Sequence, residues 1–151
     1  LKFDLMDKKI LDMGCGTGIL TVLAVKMGAN RAVGIEIDPY TAINAIEITD
    51  TNNVSDYVDI YTGGAELISS NGPAQSSYHY ILANINRNTL LSDMESFAKN
   101  SSNGTILQLS GFYLEDVPRV LDRAKDCGYF LLSQSSKEGW IHLTLTYHSR
   151  T

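Results

Sequence analysis

Three glycines alternate with Cys15 and Thr17 directly after an apolar run that ends in Ile10-Leu11-Asp12-Met13. A helical pattern begins at Ile19, so residues 10–20 read as a buried strand, a tight turn and a helix N-terminus. Glycine at 14, 16 and 18 admits positive φ and lets a ligand approach bare backbone. The helix start offers unsatisfied N–H donors and a partial positive charge. That is chemistry for holding an acidic or hydroxyl-bearing ligand. Glu36 lies 22 residues beyond Gly14, near the end of the next apolar run. A carboxylate there can accept hydrogen bonds from both hydroxyls of a ribose. Asn84 ends a later apolar run and carries both an acceptor and a donor. It can hold a substrate group or cap the helix that follows.

The elements between these residues must position them. Residues 9–13 read as the first strand. Leu20, Leu23, Ala24 and Met27 recur at helical spacing and predict one buried helix face. Residues 31–37 form a second strand, and Asp38-Pro39 supplies an N-cap and a first helical position. Ala42, Ala45, Ile46 and Thr49 predict the inner face of that helix. Residues 57–62 are a third strand ending at Gly63-Gly64, residues 65–68 one helical turn, and residues 69–77 an exposed loop. Residues 78–83 are a fourth strand. A polar break follows, with Asn86 and Asn88 as cap candidates, and then a helix through Leu90, Leu91, Met94, Phe97 and Ala98. Residues 101–104 predict a turn and 105–109 a fifth strand. Leu114, Val117, Leu121 and Ala124 mark another helix, with Pro118 tolerated in its first turn. Residues 129–133 and 140–147 are the last strands, with a turn at 137–139. Trp140 is expected to pack in the core or against another domain, and Phe112 and Tyr113 can edge a pocket.

Strands alternating with helices imply a parallel sheet covered on both faces, and the short final connection implies an antiparallel pair. The expected fold is therefore α/β: a Rossmann-like sheet of seven strands, mostly parallel, with an antiparallel C-terminal strand. Ligands bind such sheets outside the carboxyl ends of the strands. The glycine turn, Glu36, Gly63-Gly64, Asn84 and Ser110-Gly111 all fall at such ends, which predicts one composite site.

The composition narrows the function classes. The chain has 151 residues, 44% hydrophobic and 19% charged, which fits one soluble domain. A net charge of −5 argues against direct nucleic-acid binding and is compatible with a basic protein partner. Cys15 and Cys127 form no C-x-x-C pair and the three histidines are scattered, so no metal site is expected. No apolar run approaches the ~20 residues of a membrane span and no signal peptide is visible; a cytoplasmic protein is expected.

The dinucleotide fingerprint G-x-G-x-x-G fails because position 19 is Ile, and no Lys follows to make a P-loop. The D-x-G-x-G-x-G run over residues 12–18 instead resembles motif I of the class I S-adenosylmethionine (AdoMet) methyltransferases. The cofactor-binding set expected from that resemblance is Asp12, Gly14, Cys15, Gly16, Thr17, Gly18, Glu36, Ile37, Gly64, Ala65 and Asn84. Within it Glu36 takes the ribose, and Ile37 and Gly64-Ala65 lie against the adenine. Asp12 either holds the turn or faces the methionine amino group. Many class I methyltransferases have an acid near position 64; Gly64 leaves adenine recognition to backbone groups.

LDMGCGTGIL, GIEIDP, ILANINRNTLL, LSGFYLEDV and EGWIHLTL together resemble the catalytic domain of the ribosomal protein L-eleven methyltransferase (PrmA) family, over nearly all of the chain. The A-N-I at the fourth strand end is the most discriminating stretch. Adenine-N6 and glutamine methyltransferases usually have [ND]-P-P-[YF] there. The family implies methyl transfer to lysine side chains and the N-terminal amine of a large-subunit ribosomal protein; Asn84, whose carbonyl can accept a hydrogen bond from the substrate amine, is the expected catalytic residue. It also implies a separate N-terminal substrate-recognition domain, so residues 1–151 are expected to be a catalytic domain cut from a longer chain. His79 stands where the family often has Asp and reads as a tolerated strand position. The alternatives are a methyltransferase for another protein or a small molecule, an inactive cofactor-binding fragment, and an NAD-dependent oxidoreductase, which Ile19 disfavours.

Overall fold

The computed structural model describes residues 4–149. Its strands and helices are β1 (Lys9–Met13), α1 (Ile19–Lys26), β2 (Arg31–Glu36), α2 (Pro39–Thr51), β3 (Val58–Thr62), β4 (Tyr78–Asn84), α3 (Arg87–Lys99), β5 (Ser101–Ser110), α4 (Val117–Asp126), β6 (Tyr129–Lys137) and β7 (Trp140–Tyr147). Among the described residues the strands make one sheet in the order β3-β2-β1-β4-β5-β7-β6. All pairings are parallel except those of β7, which runs antiparallel to both β5 and β6. The chain leaves β3 at one edge and returns on the far side of β1 as β4. The strand order therefore reverses beside β1, where doubly wound sheets open a crevice.

Side chains alternate across each strand between two cores. Leu11, Met13, Val33, Ile35, Ile81, Ala83, Leu107 and Leu109 face α3 and α4, packing with Leu90, Met94, Phe97, Val120 and Ala124. Ile10, Ala32 and Val58 face the other way, onto Val22 and Ala24 of α1. Because β1 and β2 are covered on both sides, they read as continuous apolar runs rather than alternating ones.

The rotation of α1 differs from the expected one. Ala24 is buried, but Leu20, Leu23 and Met27 are 40%, 49% and 54% exposed, and the buried partners of Ala24 are Thr21 and Val22. The sequence ILTVLAVK is apolar all round, so periodicity cannot choose its face. A polar bond chooses it: the fully buried Thr21 hydroxyl donates to Asp12 Oδ2 at 2.8 Å. A buried carboxylate without that donor would be costly. In α2, Ala42, Ala45 and Thr49 are buried as expected, whereas Ile46 is exposed. Val117, Val120 and Ala124 carry the inner face of α4, with Leu114 exposed before it.

The predicted turn at 101–104 is strand. Ser101 pairs with Tyr78, and a register shift between Tyr78 and Tyr80 absorbs the extra residues around Gly104. Asn100 makes the direct helix-to-strand passage possible, donating to the carbonyls of Ile68 (2.7 Å) and Ser96 (2.8 Å). β6 runs on to Lys137, and the hairpin turns at Glu138-Gly139, both with positive φ as a two-residue hairpin of this hand requires. His79 has a structural partner: its Nδ1 accepts the Lys9 N–H at 3.0 Å.

Two outcomes follow from this packing. A Cβ on Gly111 (φ 95°) would lie 2.5 Å from the Ile85 carbonyl oxygen, while one on Gly104 (φ 90°) meets nothing within 4 Å. Both alanine variants carry similar backbone strain, so urea unfolding of Gly111→Ala is expected to show a loss about 2 kcal/mol larger than that of Gly104→Ala. Burial, opposed by the Thr21 hydrogen bonds and reinforced by the Glu36 charge, pushes the Asp12 carboxyl up to about 6. A carboxyl that holds its proton more tightly when folded stabilises the fold at low pH and loses that contribution as pH rises from about 4 to about 6. Asp12→Asn should therefore gain stability relative to the parent between pH 4 and pH 7, by on the order of 3 kcal/mol. A pH-independent difference between the two urea curves would refute this.

Candidate functional site

The glycine turn runs from β1 to α1 with φ of 71°, 56° and 79° at Gly14, Gly16 and Gly18. Its first two amides, Gly14 N–H and Cys15 N–H, both donate to the Ile35 carbonyl, at 2.8 and 3.0 Å. The three glycines do different jobs. A Cβ on Gly14 would lie 2.5 Å from the Ile85 side chain, and one on Gly18 would lie 3.2 Å from Ala45 Cβ in α2. Gly18 thus serves helix packing. A Cβ on Gly16 would meet nothing within 4 Å, so Gly16 is the open face of the turn.

Glu36 ends β2 beside that open face. Its Oε2 accepts the Gly16 N–H at 2.9 Å and its Oε1 accepts the Asp38 N–H at 3.0 Å. The carboxylate is thereby fixed at the rim with lone pairs to spare. Asp38 caps α2 through Thr41 N–H at 2.7 Å, and that bond holds its carboxyl below the ordinary range.

A cleft of about 290 Å³ opens at this rim. It brings together Gly14, Glu36, Ile37, Gly64 and Asn84, from the ends of four neighbouring strands. Asp12, Cys15, Gly16, Thr17, Gly18 and Ala65 are not on its wall. Asp12 is buried beneath the turn on Thr21. The Cys15 side chain is buried toward Gly34, where an added Cβ would lie 2.9 Å from its sulfur. Burial, with the charges of Asp12 and Glu36, pushes that thiol up to about 12. Only the backbone of Cys15 can serve a ligand. Thr17 is exposed and Gly16 half-buried.

Asn84 is the last residue of β4 and is exposed. It does not cap α3: Asn86 does, accepting the Thr89 N–H at 3.1 Å. Asn88 is no cap either; its carbonyl oxygen accepts from the Arg87 guanidinium. Asn84 also borders two further hollows. One, about 250 Å³, is lined by Leu20, Gln108, Ser110 and His142. The other, about 390 Å³, is lined by Ile85, Asn86, Ser110, Gly111 and Trp140. Burial pushes the His142 imidazole below its ordinary range.

Trp140 is not core. It is 47% exposed and stacks on the half-exposed Tyr113, with centroids 4.7 Å apart and planes 24° apart. The core half of the expectation for Trp140 failed because an apolar residue opening an alternating strand sits equally well at a rim; an exposed place leaves the domain-contact half open. Phe112 is buried in the core and is not on the wall of the cleft or of the two hollows beside it. Sequence reasoning also missed Ile85, Asn86, Thr89 and Asp93 as cleft walls. Thr89 and Asp93 are one turn apart on α3, next to the buried pair Leu90 and Met94, and only that spacing could have marked them. The Arg87–Asp116 ion pair at 2.6 Å ties the start of α3 to the loop after β5, and the guanidinium holds the Asp116 carboxyl below the usual range. Among the described residues no three His, Cys, Asp or Glu side chains are grouped to hold a metal, and no helix is long and apolar enough to cross a membrane.

Comparison with known proteins places this geometry in a family. The family model described as ribosomal protein L11 methyltransferase (PrmA) matches residues 2–148. A ribosomal protein L11 methyltransferase of Porphyromonas gingivalis is 40% identical over 146 residues, covering 97% of this chain and 49% of that protein. One from Bacteroides thetaiotaomicron is 38% identical over 144 residues, covering 95% and 50%. The chain spans about half the length of these curated relatives. Among solved structures, a ribosomal protein L11 methylase of Lactobacillus delbrueckii subsp. bulgaricus superimposes with a TM-score of 0.85 at 19% identity, over 96% of this chain and 72% of that one. An RNA methyltransferase from Salinibacter ruber, in complex with S-adenosyl-L-homocysteine, gives 0.75 at 20% identity, over 98% and 86%. The two structures share the fold of this chain. The sequence match over nearly its whole length shows more: this chain belongs to the ribosomal protein L11 methyltransferase (PrmA) family.

Proposed function

We propose that this chain is the cofactor-binding and catalytic unit of an AdoMet-dependent N-methyltransferase that acts, in the cytoplasm, on lysine side chains and the N-terminal amine of a large-subunit ribosomal protein. The observation that carries the reading is the single cleft with Glu36, tied to the open glycine, on one wall and Asn84 on the other. AdoMet supplies an electrophilic methyl group on a sulfonium. Glu36 accepts from the two ribose hydroxyls, a charge-assisted pair of bonds. The bare backbone of the glycine turn, which reaches the cleft at Gly14, admits the methionine portion, and Ile37 with Gly64 flanks the adenine. Asn84 stands where the cleft meets the two neighbouring hollows, and its carbonyl accepts an N–H of the incoming amine.

The amine must be neutral to react, and a free lysine has a pKa near ~10.4. A half-enclosed hollow beside Trp140 and Ile85 favours the neutral form by desolvation. The new bond joins the amine nitrogen to the methyl carbon; the bond to sulfur breaks and sulfur keeps its electron pair. The proton of the resulting ammonium leaves to solvent. Asn84 contributes by orientation, not by taking that proton. The net charge of −5 suits a basic protein partner and not a nucleic acid. A second reading, cofactor binding without turnover, has one observation in its favour: the relatives are twice as long.

Calorimetry with S-adenosylhomocysteine and turnover of the isolated ribosomal protein separate these readings. Glu36→Ala is expected to weaken S-adenosylhomocysteine binding by about tenfold or more, the value of a lost charge-assisted pair. Asn84→Ala is expected to change that affinity by less than about threefold while lowering turnover about a hundredfold. Undiminished turnover in Asn84→Ala removes Asn84 from the reaction. Binding without any turnover favours the second reading.

A further inference from the structure

The cofactor cleft carries a second carboxylate that the reading above leaves without a task. Asp93 lines the cleft from α3, one turn after Thr89, together with Gly63-Gly64. Its side chain is half-buried, and its neighbour Ser92 donates to its carboxylate. The charge that acts on it is of the same sign, from Glu66. Glu66 is itself committed, accepting the Gly64 N–H at 2.7 Å. Desolvation keeps the Asp93 carboxyl above its ordinary range, opposed by the Ser92 hydrogen bond and reinforced by the Glu66 charge. Glu36, on the same cleft, is held by two amides. The cleft therefore offers two acceptors of different standing, one already anchored for a diol and one still short of donors.

We propose that Asp93 is the residue that reads the exocyclic amino group of the purine ring in this cleft. The proposal rests on the cofactor reading above and deepens it. A flat ring entering past Ile37 and Ile85, with its ribose on Glu36, presents its far edge toward Gly64 and α3. Gly64 has no side chain to meet that edge, and its own amide is taken by Glu66. A 6-amino group donates to the Asp93 carboxylate. A 6-oxo group brings an acceptor against an acceptor, which a half-buried site penalises. Asp93 is thus a specificity residue for adenine over hypoxanthine, reached from a helix and not from the loop after β3.

The test titrates the full 151-residue chain with S-adenosylhomocysteine and with its 6-oxo counterpart, S-inosylhomocysteine, by calorimetry. The parent chain is expected to prefer the adenine form by about tenfold or more. Asp93→Asn, whose amide can serve either ring, is expected to bring the two affinities within about threefold, and Asp93→Ala to do so by weakening the adenine form. Glu66→Gln is expected to keep the preference. An unchanged preference in both Asp93 variants, with S-adenosylhomocysteine still bound, overturns the assignment and leaves the cofactor reading intact. Failure of the parent chain to bind either ligand overturns both.

Discussion

Glu36 is the joint on which the cleft depends. One carboxylate oxygen holds the amide of the open glycine and the other holds the amide that starts α2, while the main-chain carbonyl of the same residue accepts the Gly63 N–H at 2.9 Å. Three loops, after β1, β2 and β3, are thereby fixed through one residue. The arrangement leaves the carboxylate pre-aimed, so a ligand hydroxyl meets an acceptor already in position. Pre-organisation of this sort lowers the ordering cost of binding.

Much of this was legible in the sequence because local rules and the fold agree. The span of β1, the Asp38-Pro39 helix start and the final hairpin follow from short-range chemistry that tertiary packing does not overrule. The crevice was legible because every loop that builds it sits at a strand end, and strand ends are where glycine, acid and amide interrupt apolar runs. The face of α1 was not legible, since an all-apolar helix has no periodic signal and its rotation is set by a hydroxyl–carboxylate bond between residues nine apart. Trp140, Thr89 and Asp93 were missed for a related reason. Their places depend on which helix turn or strand end faces the rim, and that is fixed only once the sheet order is known.

The three hollows that meet at Asn84 divide the work of the rim. The cleft with Glu36 draws its walls from the β1, β2 and β3 loops and the start of α3. The hollow with Trp140 draws its walls from the β4 and β5 loops and the start of β7. The antiparallel strand matters here. It brings Trp140 back to the carboxyl ends of the parallel strands, where a parallel seventh strand would have begun at the opposite edge of the sheet. The last strand thus delivers a stacked aromatic wall to the side of Asn84 away from Glu36.

The near-contact of Gly111 with the Ile85 main chain has a mechanical consequence. With the Arg87–Asp116 pair beside it, this close approach joins the loop following β4 to the loop following β5, and Ile85 and Asn86 of the first loop line both the cofactor cleft and the hollow with Trp140. By linkage, a shift of that shared wall by an occupant of one side changes the affinity of the other side by the same factor in both directions.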